Sequence, residues 1–370
     1  MKRRKIKNRP FRALQIEVTS RCTRNCSICP RDSLSEIWRD GDLSPELWEV
    51  IVPDLELAQH VHLQGWGEPL LQPRLPEWAA QARQAGCSVG LTTNGDLLSD
   101  AMPWLLEGNV NLITISAAGS GERNRALRDG ASFEEVMANA RELAAAIKKR
   151  KLKIDFKLSY LLTSSNGHEL GKAVHMAADA GFQELYVTHL DCPTSAFQLE
   201  ESAFGEETLP SEMMEQLQQA AKDAKKKKLH FRGPTSKGEE VLACALNPVQ
   251  FTYITWDGRV GPCVNLLLPV EGSIPRTTHE GLNRVAPLAY GRLGDASLSE
   301  LVNSRERELF ITPLQKRLDA DNRFKQEMDQ EICELRILRG LEDAKNERDE
   351  ALQKHPLPSP CAACPKASGW

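Results

Sequence analysis

Between residue 13 and about residue 232, short apolar runs alternate with stretches whose apolar residues recur at helical spacing. The runs, bounded by turn-forming residues, predict strands at 13–18, 61–64, 88–92, 111–116, 153–161 and 184–189. The intervening periodicity predicts helices at about 45–58, 75–85, 100–107, 133–150, 169–180 and 211–227. Six β-then-α units imply a parallel sheet with right-handed crossovers. A closed barrel needs eight such units, so the expected class is α/β, an open, partial (β/α)6 TIM-like barrel.

Barrel chemistry gathers at the C-terminal ends of the strands. Four notable segments fall there. A cysteine-bearing loop follows the first predicted strand, residues 65–69 the second, Asn94-Gly95 the third and residues 116–119 the fourth.

The pattern changes after Gly233-Pro234. Runs at 250–255 and 260–264 flank Asp257-Gly258, a hairpin signal. Gly- and Pro-bearing loops follow to about residue 295, and 297–354 is charged and largely helical. Residues 342–353 are nearly all polar and predict a solvated helix. The tail carries Pro356, Pro358 and Pro360 before Cys361-Ala-Ala-Cys364-Pro365. The expected organisation is a basic arm (1–12), a core domain (13–232) and a C-terminal domain (233–370) with a charged helical insertion at about 315–355.

Composition narrows the compartment. A formal net charge of −4 gives no reason to expect a nucleic-acid partner. No run of about 18 apolar residues is present, so no membrane span is expected. The basic cluster Lys2-Arg3-Arg4-Lys5-Ile6-Lys7 lacks a following apolar region and reads as a solvated or loosely docked arm, not a signal peptide. Ten cysteines without a secretory signal fit a reducing cytoplasm, where clustered cysteines bind metals more often than they form disulfides.

The chemistry concentrates in Thr19-Ser-Arg-Cys22-Thr-Arg-Asn-Cys26-Ser-Ile-Cys29-Pro30, a C-x3-C-x2-C spacing. Thiolates are the usual holders of iron–sulfur clusters, and a cubane normally takes four. Three local thiolates would leave one iron open, as catalytic metal sites keep a position for substrate. The same residues could line one helix face as buried small hydrophobes, or bind zinc. Thr19, Ser20, Asn25 and Pro30 make a loop the better reading.

The cysteine loop, Gly65-Trp66-Gly67-Glu68-Pro69, Thr93-Asn94-Gly95 and the strand ending Ile115-Ser116 together resemble the radical S-adenosylmethionine (SAM) superfamily, over about residues 10–232. The resemblance implies that Cys22, Cys26 and Cys29 hold a [4Fe-4S] cluster whose open iron chelates SAM. An electron from that cluster would cleave SAM to a 5′-deoxyadenosyl radical that abstracts a substrate hydrogen. It further implies SAM contacts at Gly65, Gly67, Glu68, Asn94, Ser116 and Arg128, with Ile28 against the adenine and Leu190 near the nucleoside. Glycine would let backbone approach the ligand, and the Arg128 fork suits a carboxylate. One departure stands out: many members read Ser-x-Asp-Gly after the fourth strand, where this chain has Ser116-Ala-Ala-Gly119.

Cys244, then Gly258-Arg-Val-Gly-Pro-Cys263, and later Cys361-Ala-Ala-Cys364 resemble the SPASM extension of radical SAM maturases. That likeness implies one auxiliary [4Fe-4S] cluster on four thiolates, although a structural zinc fits the same set. Cys87 reads as core, Cys333 as incidental, and Cys192 as a residue that could face the active site. His189 reads as structural, with proton donation the alternative. No catalytic acid or base is assigned.

The implied activity is modification of a peptide, protein or protein-bound cofactor, with ferredoxin or flavodoxin as electron donor. Anaerobic sulfatase maturases place an aspartate directly after the hairpin cysteine; here that position is Val264. Molybdenum-cofactor cyclases end in Gly-Gly, where this chain ends Ser368-Gly-Trp370. Leu63-Gln-Gly-Trp-Gly-Glu-Pro-Leu-Leu71 and Tyr253-Ile-Thr-Trp-Asp-Gly258 most resemble maturases associated with tungsten-cofactor oxidoreductases. The alternatives are a peptide-crosslinking maturase, against which counts the lack of a leader-binding domain before Cys22, and a non-catalytic iron–sulfur carrier or scaffold.

Overall fold

The computed structural model describes residues 9–130, 132–190, 192–203, 208–238, 240–329, 345–362 and 364–369. Most of the basic arm, Cys333 and the middle of the charged insertion lie outside the described residues.

Seven parallel strands run in sequence order: β1 (Phe11–Ile16), β2 (Ala58–Leu63), β3 (Ser88–Thr93), β4 (Leu112–Ala117), β5 (Asp155–Leu162), β6 (Glu184–His189) and β7 (His230–Arg232). The six expected strands are present, joined by the short β7. One face of each packs on helices: Leu14, Ile16, Val61, Leu63, Val89, Leu91, Ile113 and Ile115 are fully buried. The other face is smaller and more polar. Ala13 and Gln15, His60 and His62, Ser88 and Gly90 line a cavity of about 380 Å³ at the N-terminal half of the sheet. Gln64, Thr92 and Ser116, one step further along, line a separate cavity at the C-terminal ends.

Helix ends follow local chemistry. The Ser132 hydroxyl accepts the Glu135 N–H at 3.2 Å and starts Phe133–Arg150, and Lys151, at φ 54°, ends it. The helix expected at 45–58 stops at Ile51 and tightens to a 3₁₀ turn over Val52–Leu57. Pro53 explains this, because it has no N–H to continue the ladder.

The expected hairpin forms, β8 (Phe251–Ile254) against β9 (Arg259–Gly261), around Gly258 at φ 87°. It does not stand apart from the core. β8 pairs in parallel with β1, Leu14 opposite Thr252 and Ile16 opposite Ile254. The resulting sheet has the order β12-β9-β8-β1-β2-β3-β4-β5-β6-β7, where β12 is Gly291–Arg292. β7 and β12 form its two ends, so the strand order is open among the described residues. The loops expected before residue 295 contain an antiparallel ribbon, β10 (Ile274–Thr278) with β11 (Gly281–Val285).

The tail returns to this region. The Val241 N–H donates to the Ala367 carbonyl at 3.1 Å. In the helix Arg305–Asp329, Arg317 is fully buried and donates to Glu240 and to the Val241 carbonyl.

Candidate active site at the strand C-termini

The segment from Cys22 to Cys29 is a loop, held from all sides. Thr19 donates its hydroxyl to Asp42 at 2.6 Å, and Ser20 donates to the Arg39 carbonyl at 2.8 Å. Arg24 forks onto Asp96, and the Asn25 N–H donates to Asp129 at 2.9 Å. The amide of fully buried Gln198 donates to the carbonyls of Ser27 (3.1 Å) and Cys29 (3.0 Å).

All three cysteines line one cavity of about 290 Å³, together with Ile28, Gly65, Gly67, Glu68, Asn94, Ser116, Arg128 and Leu190. Every first-site residue expected from the sequence is therefore brought together. Burial pushes all three thiols up, Cys29 to about 12, with Cys26 and Cys22 as close neighbours adding to its shift. Three crowded, desolvated thiols become thiolates readily only beside a cation, which is the condition an iron cluster provides.

Arg128 is buried, and its Nε has no hydrogen-bond partner. Burial works against its charge while Cys26 and Cys22 favour it. A buried guanidinium in a cavity wall has the geometry to bind a carboxylate. Ile28 and Leu190 join Ala118 and Leu127 in a small apolar cluster on another part of the wall, with Leu161 against it.

Several side chains serve the scaffold where ligand contact was expected. Glu68 accepts the Thr93 hydroxyl (2.7 Å), the Asn94 N–H (2.8 Å) and the Leu70 N–H (3.1 Å). Asn94 donates to Thr23 at 2.8 Å, and its amide nitrogen lies 3.8 Å from the Cys22 sulfur. The glycines also answer to protein. A Cβ on Gly65 would lie 2.2 Å from the Glu17 side chain, and one on Gly67 would lie 2.4 Å from the Arg21 carbonyl oxygen. The loop after β2 packs directly on the loop after β1, which leaves no room for side chains there.

Where a carboxylate is missing at Ala118, other groups hold the turn. The Ala118 N–H donates to Asn124 at 3.1 Å and the Ser120 N–H to Glu169 at 2.6 Å. Cys192 does line the cavity. His189 Nε2 lies 3.0 Å from the Thr235 carbonyl, and Cys87 is fully buried beside the Leu55 carbonyl, both as structural residues.

Glu17, Gln198 and Asp96 were not singled out from sequence. Glu17 is fully buried and accepts the N–H groups of Trp66 (2.9 Å) and Trp256 (3.3 Å), joining both loops to the hairpin. Its only sequence signal is a carboxylate closing an apolar strand. Below the cavity, His62 Nε2 meets Gln64 at 2.9 Å and Thr92 at 3.0 Å; burial pulls its pKa down to about 4, so it is neutral.

Cys244, Cys263, Cys361 and Cys364 converge on a second, apolar cavity of about 30 Å³ walled by Leu246, Leu266, Phe310 and Leu314. Burial pushes the Cys263 thiol up, and the other three thiols add to the shift. Among the described residues, no three His, Cys, Asp or Glu side chains are arranged to hold a metal ion. Both cysteine sets line cavities. Their all-sulfur character is the soft donor set that iron–sulfur clusters take. No described helix is long and apolar enough to cross a membrane.

Residues 16–157 match the radical SAM superfamily. The tungsten-containing aldehyde ferredoxin oxidoreductase cofactor-modifying protein of Pyrococcus furiosus is 24% identical over 307 residues, 80% of this chain and 82% of its own. The fold is similar to that of anSMEcpe with bound AdoMet (TM-score 0.56, 17% identity, 92% of this chain and 93% of that one). It also resembles Streptococcus suis SuiB bound to S-adenosylmethionine (TM-score 0.55, 12% identity), matching 70% of this chain and 61% of that one. Motif, cavity and family match agree: residues 16–157 are a radical SAM superfamily domain.

Proposed function

We propose that Cys22, Cys26 and Cys29 hold the SAM-binding [4Fe-4S] cluster, that Arg128 receives the SAM carboxylate, and that Ile28 and Leu190 flank its nucleoside. The observation that carries this reading is the shared cavity: three half-buried thiols on one wall and a buried guanidinium on another. When bound, the cluster and SAM supply the reductive cleavage and radical chemistry. The chain's residues bind, orient and exclude water. Glu68 and Asn94 fix the loops that present the cysteines, while Gly65 and Gly67 let those loops close on each other. Ser116, half-buried at the end of β4, lines the cavity as a hydroxyl donor.

The tests are dithionite-driven formation of 5′-deoxyadenosine and the triple change of Cys22, Cys26 and Cys29 to Ala. The variant should fold and form none; undiminished cleavage would overturn the assignment.

The substrate class proposed is a peptide, a protein or a protein-bound cofactor, with the cofactor of a tungsten oxidoreductase as the leading candidate. The Pyrococcus furiosus relative supports it, because that similarity extends over 80% of the chain, well past residues 16–157. Cys244, Cys263, Cys361 and Cys364 would hold an auxiliary [4Fe-4S] cluster, and a ferredoxin or flavodoxin would supply electrons. Anaerobic incubation with an unmodified tungsten oxidoreductase should then change its cofactor mass only when SAM and reductant are present. An unchanged mass under full SAM turnover would remove that substrate.

A further inference from the structure

Arg276 lies on β10 and is 6% exposed. Its Nη1 donates to Cys192 Sγ at 2.7 Å, and its Nη2 donates to the Asn265 carbonyl. Cys192 is part of the wall of the first cavity. Arg276 and Asn265 line the second, among Cys244, Cys263, Cys361 and Cys364. One guanidinium thus forms the partition between the two cysteine sites.

The acceptors it meets there, a thiol and a carbonyl, are formally neutral in themselves. A guanidinium stays charged even when buried, and burial without a balancing negative group is costly. The thiolates of the second site are the available balance.

We propose that Arg276 is a positioning residue that raises the reduction potential of a cluster held by the four C-terminal cysteines and ties that site to the radical cavity through Cys192. The inference rests on the reading of these cysteines as cluster ligands. Reduction adds one electron, hence one negative charge, to the site. A fixed neighbouring cation stabilises the reduced form more than the oxidised form, and the low-dielectric surroundings strengthen the effect.

The test is a dithionite titration of the anaerobically reconstituted full chain, followed by electron paramagnetic resonance. Arg276→Met should lower the midpoint of the second cluster by about 59 mV or more, a tenfold weaker one-electron reduction. Arg276→Lys keeps the charge and should hold most of the wild-type midpoint. Arg284→Met removes an exposed cation from β11 and should leave the midpoint unmoved. An Arg276→Met protein with full iron and an unchanged midpoint overturns the inference. If that variant loses iron, Arg276→Lys decides: a midpoint displaced by a tenfold equilibrium change overturns the charge argument. Iron analysis separates the two layers, since about eight irons per chain keep the two-cluster reading whatever Arg276 does. About four irons with one zinc in wild type would overturn both.

Discussion

The Glu68 carboxylate accepts the Thr93 hydroxyl at 2.7 Å, and its other oxygen accepts the Asn94 N–H at 2.8 Å. This pair fastens the loop after β2 to the end of β3, and Asn94 then reaches across to Thr23 beside Cys22. A residue expected to meet the cofactor thus also works one step behind it, by fixing the cysteine loop.

Glu68→Gln tests that arrangement. Only one of the glutamine's terminal atoms accepts, so at least one of the three donors loses its partner. Leaving a buried donor unpaired costs about 1–3 kcal/mol. The chemical-denaturation midpoint should fall accordingly. SAM affinity should weaken by about tenfold, the equivalent of ~1.4 kcal/mol. Calorimetric titration showing wild-type affinity together with wild-type stability would contradict this role.

Gly67→Ala probes the packing of loop on loop. Its new Cβ would meet backbone oxygens of Arg21 and Thr19 at 2.4 and 2.5 Å, and backbone cannot swing aside as a flexible side chain can. A cost of about 1–3 kcal/mol is expected, with lower iron retention at the first site. Gly171→Ala is the contrast: it lies in the helix Leu170–Ala180 with nothing within 4 Å, so the change should stabilise by about 0.5–1 kcal/mol. Equal behaviour of the two variants would remove the close-approach argument.

What the sequence revealed follows from how local each signal is. The helix 133–150 is set by a serine cap, an apolar stripe and a left-handed stop, all within its own span, and it forms as expected. The cysteine sets were legible because thiol spacing is itself the chemistry. Pairing of β8 with β1 was not legible, because nothing local links Ile16 to Ile254. The same holds for the actual neighbours of Gly65 and for Arg276. Each is defined by a residue far along the chain, and an arginine in a Gly- and Pro-bearing stretch carries no mark of burial.

Changing Cys361 and Cys364 to Ala should separate the two cysteine sites. The tail closes a long loop onto the Cys244 region through the Val241–Ala367 hydrogen bond, and metal ligation would strengthen that closure. Iron should fall from about eight to about four per chain, while SAM binding persists because the first site has its own ligands. Loss of all iron would show instead that the two sites fold as one unit.

Glu17 makes a pH-dependent prediction of definite sign. Burial pushes its carboxyl from an ordinary 4.5 up to about 7, against the lowering effect of the Trp66 and Trp256 N–H donors. Between pH 4.5 and about 7 the folded protein therefore holds a proton that the unfolded chain has released, so stability contributed here falls as pH rises. Above pH 7 the penalty is constant, at most about 3 kcal/mol. His62 slopes the other way, since its pKa drops from 6.5 to about 4 and folding gains as pH rises through that range. The two trends partly cancel in wild type, so the useful quantity is the difference from Glu17→Gln, which keeps His62 and removes only the carboxyl titration. Urea midpoints at intervals from pH 5 to 8 should show the variant gaining on wild type as pH rises, then running parallel above neutrality. A difference that stays constant over the whole interval would mean that Glu17 ionises in the fold as an ordinary carboxylate.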